Sequence, residues 1–275
     1  MASSSIDQLT MAKKLIINAD DYGLDDNINQ AIISLAQLGA ITSTSVMANF
    51  ATDKSIIQLK QTSISTGLHL NLIEGRPVSD LSRVRSLVDD QGNFLSWYQL
   101  LVGFIFNKVK KSELEIEIAS QLELLQHKGL TISHADSHKH IHQYPLLGPF
   151  ILQTFSRLGI TRVRNCSPSN WKHQRMLVLA VFCIVTRNTL TPFITPQRLI
   201  TNFSVNKDGH YNDFMEELSK SFEQYDLLEI MTHPGLQDRV DSYLNRKSEY
   251  EYLKDIFFQQ MDRLKNVELI SYLGI

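Results

Sequence analysis

The sequence predicts an α/β fold in which a parallel sheet, covered by helices, closes or nearly closes into a barrel. Three observations support this class. Short apolar β-type runs alternate with helical periods along most of the chain, and such alternation is typical of parallel sheets. Polar residues recur where the apolar runs end, which is where parallel barrels collect their functional groups. The 275 residues suffice for one large domain of this kind.

The predicted strands are short apolar runs bounded by turn or helix signals. KLIINA (14–19) is typical of a buried strand, and ISTGLHLNL (64–72) alternates so that His69 and Asn71 face the same side. Helical patterns between most of these runs indicate parallel strands. The predicted strands are 14–19, 41–49, 64–72, 130–136, 160–165, 198–205, 226–233 and 266–272.

The helices are predicted from apolar periodicity and from start and stop signals. DNINQAIISLAQLGA places its apolar residues on one face before Gly39 ends the helix. Ser112 and Glu115 have the capping-box spacing at the start of another amphipathic helix, which Gly129 closes. Pro145 fits the first turn of a further helix. Later helical patterns lie at about 211–224 and 248–264.

Two stretches, 74–111 and 166–198, do not follow the pattern, and we predict loop-rich insertions that form walls over a substrate site. The apolar run at 176–185 is about half the ~20 residues needed to cross a bilayer. It predicts a buried helix, with a lipid-facing surface or a dimer contact as alternatives. Residues 1–13 lack the apolar run of a secretion signal and predict a disordered leader. The rest, 14–275, is predicted to be a single domain.

The composition excludes some functions. Hydrophobic residues make up 43% and charged residues 20% of the chain, and the net charge is −2, as in ordinary globular proteins. Without a basic field, nucleic acid is not an expected partner. The two cysteines, Cys166 and Cys183, form no CxxC spacing. They argue against thiolate zinc ligation and favour a reducing compartment, so we expect a cytoplasmic protein.

Asp20 and Asp21 stand together at the end of the first predicted strand, in NADDYG. Adjacent carboxylates repel each other, and a divalent cation stabilises them if one binds it while the other remains available as a base. The alternative is an N-cap for the following helix, although Asp25 and Asp26 could fill that role. The pair alone does not separate these two interpretations.

Histidines are concentrated in SHADSHKHIHQYP (133–145), which holds four of the nine in the chain. This density is typical of a metal site or a proton-transfer site. One aspartate with two imidazoles, one from His69 and one from this segment, suits Zn²⁺ and also Mn²⁺, Ni²⁺ or Fe²⁺. For His69 taken alone, a structural role is the alternative.

Within this segment, His138 lies nearest to the strand end and is predicted to bind the ion. Asp136 is predicted to orient a metal ligand. If the segment is extended, His138, His140 and His142 share one face, and the latter two would line the substrate pocket. His134 is open to a purely structural role.

His233 ends a late predicted strand in EIMTHPG, before a turn-forming Pro-Gly. It is predicted to be a general acid that faces the metal-bound water from the side opposite the carboxylate base, with an ordinary loop histidine as the alternative. Arg164 in RVRN either holds Asp20 ionised or contacts substrate. Asn71 is predicted to contact substrate as well.

At these residues the sequence resembles the YdjC/ChbG family of carbohydrate deacetylases. The family's marks are N-A-D-D-[FY]-G, G-x-H-x-[NT], D-S-H-x-H-x-H and a late H-P. They stand here, in order, as NADDYG (18–23), GLHLN (67–71), DSHKHIH (136–142) and THPG (232–235). The combination is specific, although each motif alone is not.

The resemblance implies a distorted (β/α) barrel of about seven parallel strands, related to polysaccharide deacetylases. It implies a divalent metal, Mg²⁺ or Zn²⁺, held by Asp21, His69 and His138. It also implies hydrolysis of an N-acetyl group on an amino sugar, either in an oligosaccharide or linked to a lipid or a nucleotide. In that reaction Asp20 would be the base and His233 the acid.

Two other functions remain as alternatives. A metal-dependent phosphoesterase would use a similar set of ligands, but it would usually need basic residues to hold phosphate, and none cluster beside these motifs. A non-catalytic sugar-binding barrel is the second alternative, and intact Asp20 and His233 argue against it. The sequence also leaves open a homodimer and a peripheral membrane contact through 176–185.

Overall fold

The fold is a parallel sheet curled into an open barrel, as the sequence predicts. A computed structural model describes residues 12–169, 174–201, 211–262, 264 and 266–275. Its strands are β1 (Lys13–Tyr22), β2 (Ser43–Val46), β3 (Ser65–Leu70), β4 (Ile132–Ser137), β5 (Arg198–Ile200), β6 (Leu227–Thr232) and β7 (Val267–Leu269). The strands are all parallel, in the order β4-β3-β2-β1-β6-β5, and β7 pairs with the start of β1.

Residues 161–169 bridge the gap between β4 and β5 without forming a regular strand. The Arg164 N–H donates to the Ala135 carbonyl of β4 at 3.1 Å, and the Leu199 N–H of β5 donates to the Ser167 carbonyl at 2.9 Å. The segment changes its pairing partner within a few residues. The strand predicted at 160–165 is therefore present only as isolated bridges.

Nine helices cover the barrel in the described part of the chain. They are α1 (Asp26–Gln37), α2 (Asp53–Leu59), α3 (Trp97–Ile105), α4 (Lys111–His127), α5 (Leu147–Arg157), α6 (Gln174–Thr186), α7 (Tyr211–Gln224), α8 (Arg246–Asp255) and α9 (Phe257–Met261). The sequence did not predict α2, and the supposed loop regions 74–111 and 166–198 contain α3 and α6. The helix predicted at 248–264 is divided into α8 and α9.

Two predicted boundaries reach residues that the structure does not describe. Of the predicted leader 1–13, residues 1–11 lie outside the described residues, and β1 already includes Lys13. The strand predicted at 198–205 is β5 over its first three residues, and its end falls outside the described residues. The division into a leader and one domain stays a prediction.

Helix α4 fastens the first insertion to the barrel through buried polar side chains. The Glu117 carboxylate accepts the backbone N–H groups of Val78 and Ser79, each at 2.9 Å. Gln121 exchanges two hydrogen bonds with the backbone of Asn71. These contacts satisfy backbone groups that would otherwise be buried without partners. The predicted capping box is wrong, because α4 already begins at Lys111 and its N-cap residue makes no side-chain cap.

Helix α6 has one buried face and one exposed apolar face. Leu179, Ala180 and Cys183 are buried. The exposed residues, each about half accessible or more, are Leu177, Val178, Val181, Ile184 and Val185. The prediction of a buried helix is therefore correct for only one side of α6. Within the described residues, no helix combines the length and the apolar character needed to span a membrane.

Gly67 of β3 leaves room for the ring of His134 on the neighbouring strand β4. A β-carbon at Gly67 would lie 2.3 Å from His134 Cε1. His134 stacks on Tyr272, with ring centroids 3.7 Å apart, and burial lowers the pKa of this histidine to about 3. His134 is thus a neutral packing residue, which is the structural role that the sequence left open.

We expect Gly67→Ala to lower the free energy of unfolding by about 1–3 kcal/mol, because overpacking displaces a buried ring. The double variant Gly67→Ala/His134→Ala should recover part of this loss relative to the sum of the two single changes. Urea unfolding followed by circular dichroism measures all four proteins. Strictly additive single effects would show that the glycine is not needed for the ring.

Candidate active site

Asp20 and Asp21 both enter the barrel because β1 contains a bulge. Its register against β2 shifts between Ala19 and Tyr22. Asp21 has a φ of 68°, in the left-handed region that residues other than glycine rarely adopt. Adjacent residues of a regular strand point to opposite faces. The bulge therefore places both carboxylates on the inside, where each is about 1% exposed.

The side chains of Asp21, His69 and His138 converge on a common point. Asp21 Oδ1 lies 3.3 Å from His69 Nε2 and 3.3 Å from His138 Nδ1. The three donor atoms all lie within 4.8 Å of one another. This buried oxygen has no hydrogen-bond partner among the described residues. One carboxylate oxygen and two imidazole nitrogens at this spacing fit a divalent cation between them.

Both histidines are oriented by a carboxylate on the far side of the ring. His69 donates from Nδ1 to Asp136 Oδ1 at 2.8 Å, and His138 Nε2 lies 3.1 Å from Glu74 Oε2. Such partners are usual for metal-binding histidines. Burial alone would lower the pKa of His69, but Asp136 and the neighbouring aspartates raise it to about 10. Without a cation this imidazole holds a proton, which a metal would displace.

A second group, Asp20, His69 and Asp136, also has ligand atoms within 4.8 Å of one another. It is a poorer cation site, because the guanidinium of Arg164 already lies against both of its carboxylates. A divalent ion placed there would meet a fixed positive charge at short range. We therefore assign the candidate metal position to the Asp21 group.

Arg164 is fully buried and joins three carboxylates from three strands. Its Nη1 and Nη2 each lie 2.6 Å from an oxygen of Asp20, as a bidentate pair. Nη1 also lies 2.6 Å from Asp136 Oδ2, and Nε donates to Glu229 Oε1 at 2.9 Å. The sequence suggested two roles for Arg164, and these contacts match the first of them, which is to keep Asp20 ionised.

One arginine faces three carboxyl groups in this cluster, and their pKa values shift in different directions. Burial raises the pKa of Asp20, but the charge and hydrogen bonds of Arg164 outweigh it, so the pKa lies below its usual value. For Glu229, burial dominates and raises the pKa to about 7. Tyr272 donates to the other oxygen of Glu229 at 2.6 Å. Asp20 is therefore ionised at neutral pH, whereas Glu229 takes up a proton near neutrality.

The segment after β4 is not extended, so the assumption behind its predicted histidine face is wrong. Lys139 and His140 have φ values of 54° and 58°, and the chain turns sharply after His138. His140 Nδ1 lies 3.4 Å from Cys166 Sγ. His142 Nε2 donates to the Arg164 carbonyl at 3.1 Å, while its Nδ1 lies 2.5 Å from Ser137 Oγ. Only His138 of these three histidines reaches Asp21.

The two remaining histidines of this turn are neutral. Burial lowers the pKa of His140 to about 3 and that of His142 to about 4, and the charge of Arg164 acts in the same direction. His140 is partly exposed, whereas His142 is fully buried. The buried ring of His142 supports the backbone at Arg164. The predicted substrate contacts of both histidines stay predictions.

Asn71 organises the turn that follows β3. Its Oδ1 accepts the backbone N–H groups of Ile73 and Glu74, and its Nδ2 donates to the Glu74 carbonyl at 2.7 Å and to Asn49 Oδ1 at 3.1 Å. The side chain is fully buried. The turn carries the Glu74 carboxylate to His138. The sequence predicted a substrate contact for Asn71, and the structure gives its amide these internal partners.

His233 follows β6 and stands beside Asp20, with Nε2 at 3.9 Å from Asp20 Oδ2. Its backbone N–H donates to Glu249 Oε2 at 2.6 Å. The side chain is 13% exposed, more than either aspartate. The histidine thus lies at the same end of the barrel as the candidate metal position, but next to Asp20 and not on the opposite side that the sequence suggested.

Several residues at the site were missed by the sequence interpretation. Glu74 follows β3 in a loop. Glu229 lies inside an apolar strand, and a charged residue in such a strand could have indicated a buried functional or ion-paired group. Arg246 and Glu249 lie on α8, and their i, i+3 spacing resembles an ordinary surface pair. Nothing local in the sequence separates them from the exposed charges of the same helix.

The family model described as YdjC-like protein matches residues 14–262. A carbohydrate deacetylase of Clostridium beijerinckii is 28% identical over 263 residues, covering 95% of each chain. A carbohydrate deacetylase of Vibrio cholerae is 28% identical over 262 residues, covering 94% of this chain and 91% of the relative.

A relative from Geobacillus stearothermophilus, also named carbohydrate deacetylase, is 35% identical over 162 residues, covering 58% of this chain and 63% of its own. Among solved structures, a protein of Enterococcus faecalis named for cellobiose-phosphate cleavage has a TM-score of 0.77. It is 22% identical and covers 96% of this chain and 98% of its own. This likeness supports the barrel fold alone.

The raised pKa of Glu229 predicts a pH-dependent stability. The ordinary glutamate pKa of 4.5 rises to about 7 on folding. Between these values the folded protein holds a proton that the unfolded chain releases, so this group lowers the free energy of unfolding as pH rises. Because each pKa unit is worth about 1.4 kcal/mol, Glu229→Gln should gain roughly 2–3 kcal/mol on wild type between pH 5 and pH 8.

Urea unfolding at the two pH values measures this difference. Glu123→Gln, an exposed change on α4, serves as the matched control and should follow wild type. If Glu229→Gln has the same pH dependence as wild type, the glutamate is not protonated in the folded protein.

Proposed function

Because the chain belongs to the YdjC-like family, we propose that it is a carbohydrate deacetylase, a hydrolase that removes an N-acetyl group from an amino sugar with the help of a divalent cation. The relatives that match along nearly its whole length bear the name carbohydrate deacetylase. The observation that carries the proposal is the convergence of Asp21, His69 and His138. Beside them lies an ionised Asp20 that is not one of these three candidate ligands.

The residues around this point have separate tasks. Asp21, His69 and His138 would hold the cation, which when bound would lower the pKa of a coordinated water and polarise the acetyl carbonyl. Asp20, which Arg164 keeps ionised, takes up the proton of the attacking water. His233, on the side of Asp20, gives a proton to the sugar nitrogen as the amide bond breaks.

We infer a cation of the first-row transition series or zinc rather than magnesium. Two of the three ligands are imidazole nitrogens, which suit Zn²⁺, Mn²⁺, Fe²⁺ or Ni²⁺, whereas Mg²⁺ is usually bound by oxygen. The absence of cysteine among the three ligands is consistent with a catalytic site. Activity measured after loading the protein with each metal in turn shows which cation supports the reaction.

The charges around the site favour an amide over a phosphate substrate. Arg164 and Arg246 are the buried arginines here, and both guanidinium groups already contact aspartates. A phosphoesterase needs cations that remain available for the phosphate oxygens. The homodimer, the cytoplasmic location and the peripheral membrane contact stay predictions. The exposed apolar face of α6 is the candidate surface for a dimer contact or a membrane contact.

The decisive experiment is an acetate-release screen. The purified protein, loaded separately with Zn²⁺, Mn²⁺, Co²⁺, Ni²⁺ or Mg²⁺, is incubated with N-acetylglucosamine oligomers, acetylated sugar nucleotides and acetylated glycolipids. We expect acetate from at least one class, and loss of this activity when a chelator removes the metal. Binding of metal and sugar without any acetate would favour the non-catalytic sugar-binding barrel, and phosphate release from a phosphorylated sugar would favour the phosphoesterase.

The division of tasks predicts different behaviour for two variants. Asp20→Asn should keep metal affinity within a few-fold of wild type but lose about 10²–10⁴-fold in kcat, because it lacks the base. His138→Ala should lose both metal and turnover. His127→Ala, at an exposed histidine of α4, is the control and should change neither. Calorimetric metal titration and acetate release measure the two properties, and equal metal loss in the first two variants contradicts the assignment.

A further inference from the structure

Helix α8 contributes two buried charged side chains to the site, although its remaining charges face solvent. Arg246 is 2% and Glu249 is 1% exposed. Arg246 Nη2 donates to Asp21 Oδ2 at 2.5 Å. Glu249 Oε2 accepts both the backbone N–H of His233 and the hydroxyl of Thr232, each at 2.6 Å. Burying such charges is costly unless other groups compensate them. Arg246 forms an ion pair with Asp21, and Glu249 accepts two hydrogen bonds from the segment that ends β6.

We propose that the first turn of α8 is a positioning element, in which Arg246 fixes the metal-binding carboxylate of Asp21 and Glu249 fixes the backbone that carries His233. The proposal rests on the proposed function, because it gives these two residues their tasks. Neither Arg246 nor Glu249 reaches the reacting atoms, so both act through the residues that they hold.

The contact at Asp21 separates the two oxygens of one carboxylate. Arg246 occupies Oδ2, and Oδ1 is left facing His69 and His138. A carboxylate without this partner could rotate about its Cβ–Cγ bond or bind a cation through both oxygens. A single oxygen presented beside two imidazoles leaves more coordination positions for water and substrate. Arg246 therefore favours one-oxygen ligation.

The backbone strain at Asp21 gives this contact a second task. The φ of 68° is costly for an aspartate, by about 1 kcal/mol or more. Such a conformation persists only if surrounding contacts hold it. The ion pair with the buried Arg246 supplies one such contact from outside the sheet.

Gly235 in THPG provides the space for this arginine. A β-carbon at Gly235 would lie 3.0 Å from Arg246 Cβ and 3.1 Å from the Gln237 carbonyl oxygen. The Gly235 N–H also donates to the Arg246 carbonyl at 3.1 Å. The loop after His233 and the start of α8 are thus in direct backbone contact.

The same helical turn also contacts the backbone of His233. Glu249 binds the N–H of His233, and Arg246 Nη1 lies 3.5 Å from the His233 carbonyl oxygen. These contacts hold both sides of the His233 backbone as the chain leaves β6. A shift at this point would change the 3.9 Å separation between His233 and Asp20. One helix turn thereby couples the position of the acid to that of the metal ligand.

Metal titration of Arg246 variants tests the first half of the proposal. Arg246→Gln and Arg246→Lys, freed of metal, are titrated with Zn²⁺ and Mn²⁺ by calorimetry beside wild type. We expect Kd to rise about 10–100-fold in both variants, as for other outer partners of metal ligands. Lys247→Gln, an exposed change on the same turn, is the control and should leave Kd unchanged.

Unchanged or tighter metal binding in Arg246→Gln would overturn the proposal, since it would mean that the arginine only repels the cation. Thermal unfolding of the metal-free proteins identifies a purely structural role. Such a role would lower Tm but leave the Kd of the folded protein unchanged, which also overturns the proposal.

Kinetics of Glu249 variants test the second half. Glu249→Ala should lower kcat about tenfold with little change in KM or in metal Kd, because His233 loses its backbone anchor. Glu249→Gln keeps an oxygen that accepts both hydrogen bonds and should restore most of kcat. Equal kcat in the alanine and glutamine variants, or a loss confined to metal affinity, would contradict the assigned role.

Failure of this proposal can be distinguished from failure of the proposed function. Weaker metal binding in the Arg246 variants of a protein that releases no acetate supports the positioning role and refutes deacetylation. Normal metal binding in those variants of a protein that does release acetate refutes the positioning role alone. A wild-type chain that binds no divalent metal refutes both.

Discussion

The site depends on the burial of Arg164 among carboxylates from three strands. Moving a carboxylate from water into a protein interior costs several kcal/mol even after relaxation, unless an opposite charge compensates. Asp20, Asp136 and Glu229 reach the same interior from β1, β4 and β6, and the one guanidinium lies against all three. Because Arg164 lies on the irregular segment that bridges β4 and β5, its position also depends on closure of the barrel.

Charge compensation by Arg164 gives the two neighbouring aspartates different environments. Arg164 binds Asp20 through both oxygens, which keeps it charged and unsuited to hold a second cation. Asp21, displaced by the bulge, faces the two imidazoles instead and meets Arg246 on its other oxygen. Two residues with the same chemistry thus have different partners, and this difference is what allows the proposed base and the proposed metal ligand to be neighbours in the chain.

The site also combines elements of different kinds. Asp20, Asp21 and His69 lie on strands, where the sheet fixes their backbone. His138, Glu74 and His233 lie in the loops that follow strands, and these loops are held by buried polar contacts from Asn71, Ser137 and Glu249. Helix α4 fastens the first insertion in the same way. The loops around the site are therefore held in place by buried hydrogen bonds from residues on other parts of the chain as well as within the loops.

The sequence alone determined the class of the fold and the location of the site. Alternating apolar runs and helical periods require a parallel sheet, and polar residues at the ends of those runs must meet at one end of it. That reasoning brought together Asp20, Asp21, His69 and His138. It was wrong about the extended histidine face, since two left-handed residues turn the chain after His138.

Only the tertiary structure decided which atoms meet. The partner of Asp21 on α8 is 225 residues away in the chain, and the partner of Asp20 is 144 residues away. No local pattern encodes such a pair, because an arginine that will be buried beside a carboxylate looks the same in sequence as one that faces water. Periodicity depends on neighbours along the chain and can be read directly, whereas charge pairing across a barrel depends on packing and exists only once the chain has folded.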